Sequence, residues 1–252
     1  IDPNRGGSIF EWDLRRPRHN LGAVMTRRDE AYHRDLIEAE RKRRAGAAKA
    51  DDGKVKTIHD IVKSKQEDLD KLLFYDNYRR ASLIDRFLPV NTSVDSLLRG
   101  TYQELGDFID KSYECETRKK SGKLEMRLTR DGHVLQGNDS LPVRIEKTLS
   151  AAAGSEELAV SYKLMNRSKS VLQTAFASEW NLAITEEAHN NDCFYTPSDK
   201  PAKKNPLKRA DYVPNTSLIR ISDTNLGVDM SLTSDNAMRL WRYPVECVTN
   251  SE

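Results

Sequence analysis

The amino-acid sequence predicts a mainly β protein, an antiparallel β-sandwich with a short helical insertion. Two observations predict it. After Ser121-Gly122 the apolar residues recur at every second position, the period of a half-buried strand, and short segments of this kind follow one another with polar turns between them. Before that point a period of about 3.6 residues is confined to a minor part of the chain, and no alternation of strand and helix suggests a parallel sheet.

Composition limits the function classes. Of 252 residues, 41 are Lys or Arg and 39 are Asp or Glu, a formal net charge of +2. That balance argues against a protein whose task is to neutralise nucleic-acid phosphates, so no nucleic-acid partner is expected. Charged residues at 32% imply a well-solvated surface. A chain of this size still removes roughly 70–75% of its unfolded surface from water, enough for one large domain. Cys115, Cys193 and Cys247 are odd in number, far apart and free of any CxxC pair, which suggests a reducing compartment, the cytoplasm. No stretch approaches the roughly 18 apolar residues of a membrane span, so no membrane partner is expected either. Ile1, Asp2 and Pro3 replace an initiator Met, and the chain is read as a fragment of a longer polypeptide.

Along the chain, Ser8, Ile9, Phe10, Glu11 and Trp12 follow Gly6-Gly7 and read as a short strand, and Asp13 to Asn20 read as a charged, proline-containing loop. Arg27 to Arg44 read as a charged helix with Ala31, Tyr32, Leu36 and Ala39 as its buried stripe, and Ala45 to Gly53 as a loop. Ile58, Ile61, Val62, Leu69, Leu72 and Leu73 share one side of a helix from His59 to Phe74. Tyr75, Tyr78, Ile84, Phe87 and Leu88 continue a similar pattern until Pro89 stops it. The helical insertion therefore covers about 56–89 and the main strand region about 113–252, within a single domain spanning 1–252.

In the strand region Leu124, Met126 and Leu128 alternate with charged residues, Asp131-Gly132 reads as a hairpin turn, and Val143, Ile145 and Leu149 alternate again. Gly154-Ser155 turns the chain into Leu158, Val160, Tyr162 and Leu164, and Asn166 to Ser168 turn it once more. A strand follows from Ala175 to Ile184. Leu218 to Ile221, Val228 to Leu232 and Met238 to Tyr243 supply three further segments, after a lysine-rich loop from Lys200 to Arg209.

Chemistry-bearing residues are few. In the strand from Ala175 to Ile184, alternation puts Glu179 and Asn181 on one face beside Ala175, Ala177 and Ala183, and Trp180 on the other. A carboxylate and an amide above small neighbours suit a network of sugar hydroxyls, and they equally suit arginine or backbone groups on an adjoining strand. His19, His33, His59, His133 and His189 never fall at the i, i+4 spacing of a helical zinc site, so no metal is expected. The nucleophile elbow, the P-loop and the dinucleotide fingerprint are absent from the sequence, and no cofactor is expected. Arg41 to Arg44 and Lys200 to Arg209 lack interleaved aromatics and read as solvated faces. Trp12, Trp180 and Trp241 are candidate stacking platforms or core residues.

Several segments form an ordered set. They are Gly6 to Glu11; Arg27, Arg28, Glu30, Tyr32 and His33; and Tyr75, Asp76, Arg80, Ala81, Ser82, Ile84, Asp85 and Phe87. Pro142, Val143, Glu146 and Lys147 follow, then Glu179, Trp180 and Asn181, then Leu240 to Pro244 with Glu246, and Ser251 and Glu252 at the edge. Taken together these segments resemble the C-terminal part of the α-amylase/4-α-glucanotransferase enzymes of glycoside hydrolase family 57. Arg86, where the family pattern leads one to expect His, and Cys247 depart from it.

The resemblance implies a galactose-mutarotase-like supersandwich. It also implies that the catalytic Glu and Asp belong to a separate (β/α) barrel, which no part of this chain resembles. The chain is then a non-catalytic accessory domain, with the barrel of the same polypeptide as its partner and α-glucan as a further expected partner. Residues expected to contact glucan are Glu11, Trp12, Glu179, Asn181, Trp241 and Arg242, with tryptophans stacking and polar groups bonding hydroxyls. Two alternatives differ in class. One is a mutarotase-like enzyme in its own right, using Glu179 with His33 or His189 as acid and base. The other is an interdomain brace that binds no sugar, marked by a large exposed apolar face.

Overall fold

A computed structural model describes residues 1–47, 69–184, 193–196, 205–207 and 209–248. Among them, strands β1 (Asp13–Leu14) and β2 (His19–Asn20) precede helix α1 (Ala31–Ala47), and β3 (Ile84–Leu88) precedes helix α2 (Val94–Arg99). Then follow β4 (Glu114–Lys120), β5 (Lys123–Gln136), β6 (Asp139–Ala152), β7 (Leu158–Asn166) and β8 (Ala175–Glu179). The last strands are β9 (Cys193–Thr196), β10 (Asn205–Pro206), β11 (Asp211–Asp223) and β12 (Val228–Arg242). The protein is mainly β, and all of its strand pairs are antiparallel among the described residues.

The chain divides into two compact units, one made of Ile1–Val24 and Tyr78–Pro244, the other of Met25–Asn77 and Val245–Glu252. In the first unit β4-β5-β6-β7 form a meander in chain order, β3 pairs with β8, and β10-β9-β11-β12 form a third sheet. The meander follows from the period-2 pattern. Leu128 and Val134 of β5 and Val143, Ile145 and Leu149 of β6 gather in one cluster with Phe87, Phe108 and Tyr113, and Phe176 packs against it. Full burial of each such side chain contributes about 1.5–3 kcal/mol.

Two glycines let backbone approach this core. A Cβ on Gly7, whose φ is +57°, would meet the Leu128 Cδ1 and Lys147 Cε atoms at 2.9 Å. A Cβ on Gly132 would lie 2.3 Å from Asp107 Oδ1 and 2.8 Å from Phe108 Cζ. Gly132 is thus a packing residue in the middle of β5, not the expected turn. The hairpin closes at Gly137-Asn138, between the paired residues Gln136 and Asp139. Asp131-Gly132 looked like a turn because the same dipeptide also serves where a ring must lie against a strand.

Other expectations are corrected. The apolar pattern through Leu88 is strand, since Ile84–Leu88 forms β3 and all five residues are buried. A strand buried on both faces loses its alternation, and its apolar spacing then fits either period. Of the helix expected from His59 to Phe74, residues 59–68 lie outside the described residues, and Leu69–Leu72 is a 3-10 turn. Ser8 and Ile9 make isolated bridges to Asp2 and Ser82 instead of a strand reaching Trp12, and the loop beyond holds the β1–β2 pair. β8 stops at Glu179, short of Ile184. The segments Val228 to Leu232 and Met238 to Tyr243 are largely one strand, β12, whose pairing with β11 shifts register between Val213 and Leu218. Most of the loop from Lys200 to Arg209 lies outside the described residues, while Asn205–Pro206 forms β10.

In the second unit α1 begins later than Arg27 and absorbs Ala45 to Ala47. Its buried positions are His33 and Glu40, with Ala31 exposed. Glu40 tolerates burial because Arg43 pairs with it at 3.0 Å. Arg27 and Asp76 form a nearly sealed ion pair at 2.7 Å, reinforced by the Arg27 N–H donating to Asp76 Oδ2.

Replacing Gly132 by Ala should destabilise the protein by about 1–3 kcal/mol through overpacking against Asp107 and Phe108. Urea unfolding measures this, and an unchanged midpoint would contradict the close approach.

Candidate functional site

The polar chemistry of the first unit gathers around β3. Its pairing with β8 sets Ile84 opposite Glu179, Asp85 opposite Ser178 and Arg86 opposite Ala177. Successive residues of a strand face opposite ways, so Asp85 and Arg86 bury opposite charges on opposite sides.

On one side, Asp85 accepts from Lys147 Nζ at 2.9 Å, from the Tyr113 hydroxyl at 2.6 Å and from the Tyr162 hydroxyl at 2.8 Å. Lys147 Nζ also donates to the carbonyls of Gly6, at 2.8 Å, and Leu83, at 3.1 Å. Leu83 has a left-handed φ of 66°, costly for a side chain with a Cβ, and the Lys147 bond to its carbonyl helps to hold it there. Burial pushes the Lys147 ammonium below its ordinary pKa, against the pull of Asp85. Burial and the Asp85 charge both push the Tyr113 and Tyr162 hydroxyls upward.

On the other side Glu179 is saturated. It accepts from Tyr78 OH at 2.9 Å, Arg80 Nη1 at 3.2 Å, Arg86 Nε at 2.5 Å and Asn181 Nδ2 at 2.7 Å. Arg86 Nη1 reaches on to the Tyr102 hydroxyl at 2.8 Å and Glu104 Oε2 at 3.0 Å, and the guanidinium stacks 4.4 Å from the Tyr78 ring centroid. Glu104 Oε1 takes the backbone N–H groups of Phe87 and Gly106. Asn181 also donates to the Ala81 carbonyl at 2.7 Å. Burial disfavours charge on Arg86, yet Glu179 and the groups beside it hold its pKa above the ordinary value. Burial raises Glu104 against the pull of Arg86, and burial with the Glu179 charge raises Tyr78.

The arrangement braces the fold more readily than it performs chemistry. Every carboxylate in it already accepts several protein donors, whereas a general base needs a free acceptor within reach of a substrate proton. An open cleft of about 500 Å³ is lined by Phe87, Phe176, Leu164, Val171, Asn166 and Lys169, among others. Lys169 is the single charged side chain in its lining, so it offers no acid–base pair.

The six residues expected to contact glucan do not assemble into one surface. Glu179 and Asn181 meet each other and the arginines. Glu11 is exposed, and its neighbour Trp12 packs on the core, its ring centroid 6.1 Å from that of Trp180. Arg242 donates to the carbonyls of Leu207 and Arg209 and stacks over Tyr195 at 4.0 Å. Trp241 is half-buried beside it on β12. For the enzymatic alternative, His189 lies outside the described residues. His33 belongs to the second unit, where its Nδ1 accepts the Glu30 N–H and its Nε2 lies 3.2 Å from the Val248 carbonyl. Sequence reading missed Tyr78, Arg80, Arg86, Tyr102 and Glu104 as a set; the signal was the pair of arginines Arg80 and Arg86, hidden by the helical reading of that stretch.

Comparison with known proteins adds an independent line. The family model described as "Alpha-amylase/4-alpha-glucanotransferase, C-terminal" matches residues 1–252. Alpha-amylase 1 of Dictyoglomus thermophilum is 27% identical over 254 residues, covering 100% of this chain and 33% of the relative. The alpha-amylase of Pyrococcus abyssi is 28% identical, covering 100% and 32%, and the 4-alpha-glucanotransferase of Thermococcus litoralis 26%, covering 100% and 33%. The crystal structure of 4-alpha-glucanotransferase from Thermococcus litoralis matches with a TM-score of 0.70 at 22% identity, over 98% of this chain and 30% of that one. The chain spans about a third of the length of the curated relatives it matches.

Two outcomes are expected. Arg86→Ala strips donors from Glu179 and Glu104 together and should cost about 3–5 kcal/mol in chemical denaturation; a loss below about 1 kcal/mol would mean that water replaces the guanidinium. The second concerns alkaline pH. Tyr78, Tyr113, Tyr162 and Tyr243 all have raised pKa values in the fold, so their contribution is complete below the unfolded value of about 10 and is lost as pH climbs above it. Lys147, lowered in the fold, opposes this only up to its unfolded value of about 10.5. Unfolding free energy should therefore fall steeply above about pH 10, and a flat profile to pH 11 would refute the linkage.

Proposed function

The chain belongs over all its residues to the family of C-terminal regions of alpha-amylases and 4-alpha-glucanotransferases, and from that premise we propose that it is the non-catalytic domain of an α-glucan-acting enzyme. Its partner in this reading is the catalytic region of the same polypeptide, the enzyme is of glycoside hydrolase family 57, and the sandwich is of the mutarotase-like type. One observation carries the proposal: a family match across the whole chain that corresponds to only about a third of each relative. The engagement of Glu179, Glu104 and Asp85 with protein donors supports a bracing role over a catalytic one.

Of the six candidate glucan contacts, Glu179, Asn181 and Arg242 then act through the fold, holding β3, β8 and the end of β12, and Trp12 packs on the core. Glu11 and Trp241 remain as candidates for direct contact.

Two assays test the reading. Incubated alone with amylose or maltoheptaose, the chain should release no reducing sugar. Produced together with the catalytic region of its polypeptide, it should co-elute with that region in size-exclusion chromatography. Turnover by the chain alone, or separate elution, would sink the proposal.

A further inference from the structure

The stretch that joins β7 to β8 has no regular structure, yet it is fastened along its length. Asn166 Nδ2 donates to the Ser170 carbonyl at 2.8 Å, while its Oδ1 accepts the Ser168 N–H at 2.9 Å. Gln136, at the end of β5, holds the chain much as a neighbouring strand would. Its Nε2 donates to the Val171 carbonyl at 3.0 Å, and its Oε1 accepts the Gln173 N–H at 2.7 Å. The Thr174 hydroxyl then donates to the Leu88 carbonyl at 3.0 Å. Between these bonds the Val171 side chain is 77% exposed, the highest value for a large apolar residue among those described.

Val171 and Leu164, the latter 41% exposed, both line the open cleft of about 500 Å³, together with the buried Phe87 and Val143 and the ring of Phe176. Backbone bonds thus present an apolar side chain beside an apolar hollow, and a partner that covers them need not bear the cost of ordering the segment. A small molecule would keep much of its surface in water here, whereas small-ligand pockets enclose most of theirs. A folded partner fits better: one large apolar side chain projecting from it fills the cleft, and its surroundings cover Val171 and Leu164.

Charge narrows the choice of partner. Lys169 belongs to the lining, which holds no carboxylate, and Arg167 is exposed two residues before it. Among the described residues neither cation pairs with a carboxylate, so the matching surface carries acidic groups at its rim. A second copy of this chain does not meet that need, because a two-fold contact through the patch would bring Lys169 and Arg167 up to their own counterparts. A different partner is tethered close by. This chain matches 33% of the Dictyoglomus thermophilum relative and 32% of the Pyrococcus abyssi one, so about two thirds of each lies outside the matched region. Within one polypeptide such a region meets the cleft at high effective concentration.

We infer that the cleft bounded by Leu164 and Val171, with Lys169 and Arg167 at its edge, is the surface on which the catalytic region of the same polypeptide docks, inserting an apolar side chain and setting carboxylates against the two cations. The inference rests on the reading of the chain as one domain of a larger enzyme and adds where that domain is held.

The co-produced pair of chain and catalytic region, diluted in steps through a size-exclusion column, tests this; the concentration at which half of the chain elutes separately is the readout. Val171→Asp should raise it at least about tenfold, since it places a charge where the apolar contact is made, and Lys169→Glu should raise it several-fold. Leu124→Asp, at the opposite end of β5 and 44% exposed, should leave it unchanged. Both apolar positions are exposed, so the thermal midpoints of their variants should match the parent and separate lost docking from lost folding. An unchanged value in Val171→Asp, or an equal rise in Leu124→Asp, would overturn the docking surface and leave the domain reading standing. Separate elution of the unaltered chain at every concentration would instead sink the domain reading itself. A dimer of the chain alone that Val171→Asp disperses, with co-elution intact, would overturn the inference by assigning the cleft to a second copy.

Discussion

Asp85 and Arg86 are consecutive residues of a strand buried on both faces, and the rest of the first unit is arranged around neutralising them separately. A bare charge in the interior costs several kcal/mol, so each needs a counter-charge and hydrogen bonds on its own side. Lys147 of β6 answers Asp85 and thereby ties the meander to β3, while its remaining protons fasten the amino-terminal segment through Gly6 and the turn at Leu83. Glu179 of β8 and Glu104 of the loop after α2 answer Arg86. One dipeptide thus connects the meander, the amino terminus, β8 and a loop that no hydrophobic contact alone would fix in register.

The meander was legible in the sequence because its strands have one wet face, which preserves the alternation of Leu124, Met126 and Leu128. The same alternation correctly placed Glu179 and Asn181 together, opposite Trp180. β3 was not legible, for the reason that makes it important: buried on both faces, Ile84, Phe87 and Leu88 lose the period that distinguishes strand from helix. The networks could not be assembled either. Asp85 and Lys147, or Arg80 and Glu179, are joined only by tertiary pairing, and pattern within a window carries no information about partners so far apart in the chain. Gly132 misled for a related reason, because what demands it is Phe108, a residue of another segment.

The resemblance read from scattered motifs acquires a physical meaning in this light. Gly6, Arg80, Ser82, Asp85, Lys147, Glu179 and Asn181 came from four separate segments of it, and all of them enter the two networks around β3. Arg27, from a fifth segment, and Asp76, from one of those four, form the sealed pair of the second unit. The motif residues are largely the polar brace of the fold. Arg86 departs from the pattern and still fits that role, its length allowing a single guanidinium to bridge Glu179 and Glu104.

Hydrophobic burial of β3 would be indifferent to sliding by one residue, since apolar or amphipathic side chains stand on both of its faces. The charges are not indifferent. A slip would turn Asp85 toward Glu179 and Arg86 toward Lys147, creating two like-charge encounters in a low-dielectric interior, each of them strongly unfavourable. The two networks therefore exclude the wrong register more forcefully than they favour the right one. The same charges reach beyond β3, because β8, the turn that follows it and the end of β12 take their positions from Glu179, Asn181 and the stacking of Arg80 on Tyr243.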